Sequence, residues 1–340
     1  MNRRDFLLSA PAASLMVACP KVFAAAPTSI RLIDSGGTTG ESIAAAYIPP
    51  FTEKYGVRVV REAPSSLGKL RAMVESGRIN AALFELGSST LAQARELNLL
   101  EKLDWTAIHP DPMFPEARDD YGMGYQYFST VMAWRDGNPA PKTWANFFDV
   151  QHFPGKRCMS AYPHYTLPFA LLADGVDPAS LFPLDVDRAM RKLERIKSHV
   201  SVWWKTGTQP LQLLKDNEVQ YAVTWSAGIE REPGIRSTFN QGMYDIAWLV
   251  VPRGQPAATK DLAMKFLHEV TVAKNQMVAA RVLPLSGNSP QLEGLLGAKA
   301  FQSFPTAKAN LQAQFKQNAQ WWQKNGTEVN KVWSNFLLNT

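Results

Sequence analysis

The chain has 340 residues, of which 46% are hydrophobic and 19% charged, with a formal charge of +6. That balance excludes a disordered chain and is enough for two lobes with cores of their own. Lysines and arginines are scattered, with no run of five or six and no interleaved aromatic stripe, which argues against nucleic acid as a partner.

Residues 1–24 read as an export signal. Arg3 and Arg4 precede the apolar stretch DFLLSAPAASLMVAC, and VFAAA offers small residues for cleavage after Ala24. NRRDFLL resembles a twin-arginine signal, the alternative being an ordinary secretory one. A lipoprotein anchor at Cys19 fits poorly, because Met16 stands three places before it. Cleavage would remove Cys19 and leave Cys158 alone, so no intramolecular disulfide is expected. Cys158 reads as a small buried hydrophobe. No later apolar run is long enough to span a membrane.

Short strands then alternate with amphipathic helices. SIRLID, GVRVV and INAALFE read as strands, with helices over 40–54 and 66–76 between them. Pro49 and Pro50 must kink or end the first helix. The alternation indicates a parallel α/β sheet, whose ligands gather at the C-terminal ends of its strands. Asp34 and Glu85 fall at such ends. GYQYFSTVMAWR reads as one long strand, GNPAP breaks it, and TWANFFD as a short helix capped by Thr143. A strand over 156–163 and helices over 166–174, 186–198 and 209–217 follow. VQYAVTWS is a further strand and DIAWLVVP a long apolar run. Two helices come next, in TKDLAMKFLHEVTVAKNQMVAARVLPL. A last amphipathic helix carries Val329, Val332, Trp333, Phe336 and Leu337 on one stripe, and its tryptophans, with Trp321 and Trp322, read as packing. No internal repeat is present.

No catalytic motif stands out. SGGTTGES lacks the P-loop spacing, and Glu41 would repel a phosphate. No dinucleotide fingerprint, nucleophile elbow or H-E-x-x-H occurs, and the histidines at 109, 152, 164, 199 and 268 show no ligand spacing. No cofactor and no enzyme activity are expected.

The order of segments resembles the extracellular solute-binding proteins of ABC importers, and within them the spermidine/putrescine-binding branch. The resemblance rests on DSGGTTGESIAAAYIPPFTEKYGVRVV, YGMGYQYFSTVMAWR, PKTWANFFDVQHFPGKRCM, LLKDNEVQYAVTWSAG and WLVVPRG with its following helices and PLSGNSP loop. It implies an α/β protein with the two-lobed periplasmic binding protein fold of type II, with two crossover strands. The lobes would be residues 28–128 plus 250–340 and residues 132–245, with the chain crossing near Tyr127 and Ala247. It further implies a monomer in the periplasm that closes on a small-molecule ligand and hands it to an inner-membrane ABC permease.

The expected ligand is a small cationic nitrogen compound, polyamine-like or an amine-bearing amino-acid derivative. The alternatives are a small anionic or amino-acid-like ligand held by the glycine-rich loop and, from another class, a secreted hydrolase. The resemblance carries over Asp34, Ser35, Gly36 and Gly37 as the first-lobe loop and Glu85 as a first-lobe contact. Tyr162 and Tyr165 carry over as a second-lobe helix start, and Trp225 and Tyr244 as aromatic walls. Asp245 lies two residues before Ala247, which stands where the polyamine binders place an acid, and it shares that strand face. Tyr127 at the hinge and Trp204 complete the candidates. Carboxylates would hold a desolvated cation and aromatic faces would attract it.

Overall fold

A computed structural model describes residues 27–338; the expected export signal lies outside them. Ten strands join one mixed sheet among these residues. They are β1 (Ser29–Ile33), β2 (Arg58–Glu62), β3 (Leu83–Gly87), β4 (Arg118–Asp119), β5 (Gly122–Arg135), β6 (Arg157–Ser160), β7 (Val200–Trp204), β8 (Tyr221–Trp225), β9 (Ile235–Val250) and β10 (Phe315–Lys316). The sheet runs β2-β1-β3-β9-β5-β8-β6-β7, with β4 on β5 and β10 on β9. β1 is parallel to β2 and β3, and β6 is parallel to β7 and β8. Between these two parallel groups run β5 and β9, antiparallel to each other and shared by both.

Local chemistry sets the breaks. The Gly37–Ala46 helix stops before Pro49 and Pro50, and a new helix, Ile48–Tyr55, takes them into its first turn, where a missing N–H costs nothing. Thr143 Oγ1 accepts the Asn146 N–H and caps the Trp144–Phe148 helix as expected.

The apolar side chains divide around the shared strands. Ile30, Leu32, Phe51 and Phe266 build one cluster beside β1 and β3; Ile33, Phe84, Tyr127 and Ile246 build a second there. A third gathers Trp144, Phe169, Trp204 and Tyr221 around β6 to β8. The C-terminal helix, Ala319–Leu338, buries Trp322, Val329, Trp333 and Phe336 in this third cluster. Each such side chain contributes roughly 1.5–3 kcal/mol, and Trp333 Nε1 donates to Ala161 O at 2.7 Å. The sequence had grouped residues 250–340 with the first lobe; this helix is held instead by the core beside β6 to β8. It also lies against the Ser88–Glu96 helix that follows β3. Val332, expected on its apolar stripe, is 46% exposed. The chain reaches this position by a third passage, in which β10 pairs in parallel with Met243 and Tyr244 of β9.

Candidate functional site

The glycine-rich turn after β1 is held by the chain's own carboxylates. Asp34, fully buried, pairs with Arg61 of β2 at 2.6 and 3.0 Å and accepts the Gly36 N–H at 2.7 Å. The β1–β2 register sets Ile33 opposite Glu62, which brings these partners together across 27 residues of sequence. Gly40 is needed here: a Cβ on it would come within 1.6 Å of the Arg61 guanidinium. Gly36 and Gly37 both take positive φ, 78° and 54°. Glu85 Oε2 accepts the Ser35 N–H at 2.6 Å, and its Oε1 accepts from the Tyr125 hydroxyl at 2.9 Å. Burial pushes the Glu85 carboxyl above the usual range, against the pull of these donors.

A different arrangement surrounds Asp245, near the middle of the shared strand β9. It is 4% exposed. Its Oδ1 accepts from Ser88 Oγ at 2.5 Å and from the Ile246 N–H at 2.8 Å. Ser88 Oγ in turn accepts from Trp248 Nε1. Asp245 Oδ2 takes no hydrogen bond from the described residues. Burial raises this carboxyl to about 6. Phe128 of β5 stands opposite Asp245 in the register, and Phe128 meets Trp225 edge-on at 6.1 Å. Trp225 meets Tyr165 at 6.0 Å, and the Asp245 charge helps raise the Tyr165 hydroxyl. Tyr165 meets His164 with tilted rings at 4.1 Å, and His164 meets Trp322 at 5.8 Å. Burial drives the His164 imidazole down to about 4, so it is neutral.

Several buried polar atoms in this neighbourhood have no partner among the described residues: Thr130 Oγ1, Trp225 Nε1, Gln317 Oε1 and Trp322 Nε1. Thr130 is opposite Trp225 on β8, and Ser226 N donates to Ser129 O. Buried polar groups in folded proteins are ordinarily satisfied, so such a concentration makes this neighbourhood the candidate ligand site.

The two sides of the molecule touch at the rim. Arg231, in the turn after β8, donates to the carbonyls of Arg281 and Val282 at 2.9 and 3.2 Å. These end the Ala273–Val282 helix, where unpaired carbonyls and the dipole favour a cation.

The structure thus brings Trp225, Tyr165 and Asp245 together. It groups Asp34, Ser35, Gly36 and Gly37, just beyond the end of β1, in a separate knot with Glu85, which lies in the middle of β3 rather than at its end as expected. Trp204 is fully buried and donates to Val223 O at 2.8 Å, supporting Trp225 from beneath at 5.5 Å. Tyr162 lies at the surface, 41% exposed, with its hydroxyl on Lys205 O. Tyr127 is fully buried against Phe114, and Tyr244 packs on the same cluster, because both point away from Asp245 and Phe128 in the strand alternation. Sequence reasoning did not single out Ser88, Phe128, Thr130, Ser226 or Gln317, and it assigned Trp322 to packing alone. None carries a local motif; a polar residue inside an apolar strand, as at Thr130, is the one signal available.

No metal-holding group of three or more His, Cys, Asp or Glu residues occurs among the described residues, and no described helix is long and apolar enough to cross a membrane. Residues 46–309 match a family described as bacterial extracellular solute-binding protein. The chain is 31% identical over 314 residues to the gamma-aminobutyric acid (GABA)-binding protein of Pseudomonas aeruginosa, which covers 88% of each chain. A solved ABC transporter substrate-binding protein from Bradyrhizobium japonicum is similar with a TM-score of 0.85 at 30% identity, covering 91% of this chain and 99% of that one. A solved GABA receptor is similar with a TM-score of 0.82 at 32% identity, covering 91% and 97%. A spermidine/putrescine-binding protein from Streptococcus pneumoniae has a TM-score of 0.72 at 15% identity, covering 91% and 99%, a likeness that shows the fold alone. The expected polyamine branch is therefore a distant neighbour, and the GABA-binding proteins are nearer.

Proposed function

The chain belongs to the bacterial extracellular solute-binding proteins, the binding components of ABC importers rather than enzymes, and on that premise we propose that it captures a small amino acid bearing an ammonium group, of the GABA class. The observation that carries this reading is the buried Asp245 carboxylate with one oxygen free, beside Tyr165 and Trp225. Taking this charge out of water is costly, and the Ser88 and Ile246 donors and the Lys316 charge offset that cost only in part. An ammonium compensates it, and the neighbouring aromatic faces add cation–π attraction. The ligand's carboxylate has unpartnered donors to meet in Trp225 Nε1 and Thr130 Oγ1.

The glycine-rich loop has a supporting role in this reading. Its Ser35 and Gly36 amides already serve Glu85 and Asp34, so they are not free to hold an external anion. Asp34 is neutralised by Arg61, so it is not a bare carboxylate for the far end of a polyamine. The closing lobes are residues 28–128 with 250–307, and residues 132–245 with the C-terminal helix. The protein works after export, in the periplasm, as a monomer that delivers its ligand to an inner-membrane permease.

A thermal-shift screen over GABA and other amino acids, polyamines and organic anions tests the proposal. Ligand at a hundredfold excess over Kd should stabilise the protein by about 2.7 kcal/mol. The expected hit is an amino acid with an ammonium group; stabilisation by organic anions or polyamines alone would overturn it.

A further inference from the structure

Gln317, on the third passage of the chain, has a buried side-chain oxygen with no partner. The residue is 4% exposed. Lys316 pairs with Tyr244, and the Gln317 N–H donates to Tyr244 O at 3.0 Å. One step further along this parallel ladder, Gln317 stands beside Asp245 on the same face of the sheet. Two acceptors therefore share one face at neighbouring register positions: Asp245 Oδ2, which takes no hydrogen bond from the described residues, and the neutral Gln317 Oε1, buried without a partner.

We infer that Gln317 and Asp245 together select a primary ammonium and reject N-methylated amines. The inference rests on the proposed amino-acid ligand and goes beyond it by naming the head group that the site reads and the residue that reads it. The aromatic surroundings alone would not discriminate, because Trp225 and Tyr165 offer π faces that suit a quaternary ammonium as well. The two acceptors do discriminate. A primary ammonium has three N–H donors and satisfies both oxygens at once. A trimethylammonium has none, so it would leave Gln317 Oε1 buried without a partner and Asp245 Oδ2 without a donor, and a site built on hydrogen bonds rejects an analogue that lacks them far more strongly than an apolar pocket does. Gln317 also couples recognition to the rest of the chain, because the C-terminal helix that begins two residues later packs on the third cluster and against the Ser88–Glu96 helix.

Calorimetry with 4-aminobutyrate and its N,N,N-trimethyl counterpart tests this on the full-length mature protein. The parent should bind the primary amine at least about a hundredfold more tightly. Gln317→Leu should narrow that ratio to about tenfold or less, by weakening the primary amine while leaving the trimethyl compound unchanged, and the empty variant should melt with the parent. Gln317→Glu should keep the preference. Equal binding of the two compounds by the parent, or an unchanged ratio in Gln317→Leu, overturns the inference and leaves the amino-acid reading standing. If the parent binds neither compound, both fail. Should Gln317→Leu not fold, the ratio in the parent and in Gln317→Glu still decides.

Discussion

Asp34, Glu85 and Asp245 are three buried carboxylates in different company. Asp34 has a guanidinium, Glu85 has a backbone amide and a phenol, and Asp245 has donors on one oxygen alone. Their expected behaviour differs accordingly. Arg61→Ala would leave Asp34 buried without its counter-charge, and urea denaturation should show a loss of roughly 3–5 kcal/mol. Asp245 titrates at about 6, raised by burial. The folded empty protein thus holds a proton that the unfolded chain releases from about 4 upward, so this group's contribution to stability is greatest in acid and falls as pH rises toward 6. Ligand binding has the opposite sign, because an ammonium needs the ionised form. Below pH 6 affinity should fall about tenfold per pH unit, which calorimetry between pH 5 and 7.5 would read. The strand placements of Asp34 and Glu85 were legible in the sequence, although Glu85, expected at a strand end, lies in the middle of β3. Their partners were not: Arg61 comes from the next strand and Tyr125 from a shared one, and pairing register is a property of the assembled sheet.

The long strand β5 announced itself by an apolar run too long for an ordinary element, and β9 only by its second half. The first half of β9, from Ile235 to Gln241, is partly exposed and polar, so alternation alone did not mark it as strand. β10 is two residues long and has no periodicity to detect. The third passage therefore stayed hidden, and with it Gln317 and the placement of the C-terminal helix. The loop between β7 and β8 was equally silent about Gly207. A Cβ there would approach Trp225 Cζ3 to 2.1 Å, so the loop backbone lies directly on the indole ring. Gly207→Ala must displace that ring. It should weaken ligand binding by tenfold or more while lowering the melting temperature of the empty protein by a few degrees, about 1 kcal/mol; unchanged affinity would show that Trp225 is not a wall of the site.

Across the whole molecule, two α/β halves share two long strands. Arg231 joins the halves by donating to the last carbonyls of the Ala273–Val282 helix. Two hydrogen bonds to a helix C-terminus contribute about 1–2 kcal/mol, and in a receptor that traps its ligand they act on release. Stopped-flow measurements should find that Arg231→Ala speeds dissociation roughly five- to thirtyfold with little change in association; an unchanged off-rate would remove the latch from the account. On the proposed reading, the binding that closure serves rests first on the Asp245 carboxylate. Titration calorimetry of GABA at pH 7.5 against the parent and Asp245→Asn tests it most directly. The parent should bind, and Asp245→Asn should lose at least a hundredfold in affinity with the melting temperature of the empty protein unchanged or raised. Equal binding by Asp245→Asn would contradict the assignment of Asp245 as the ammonium's partner.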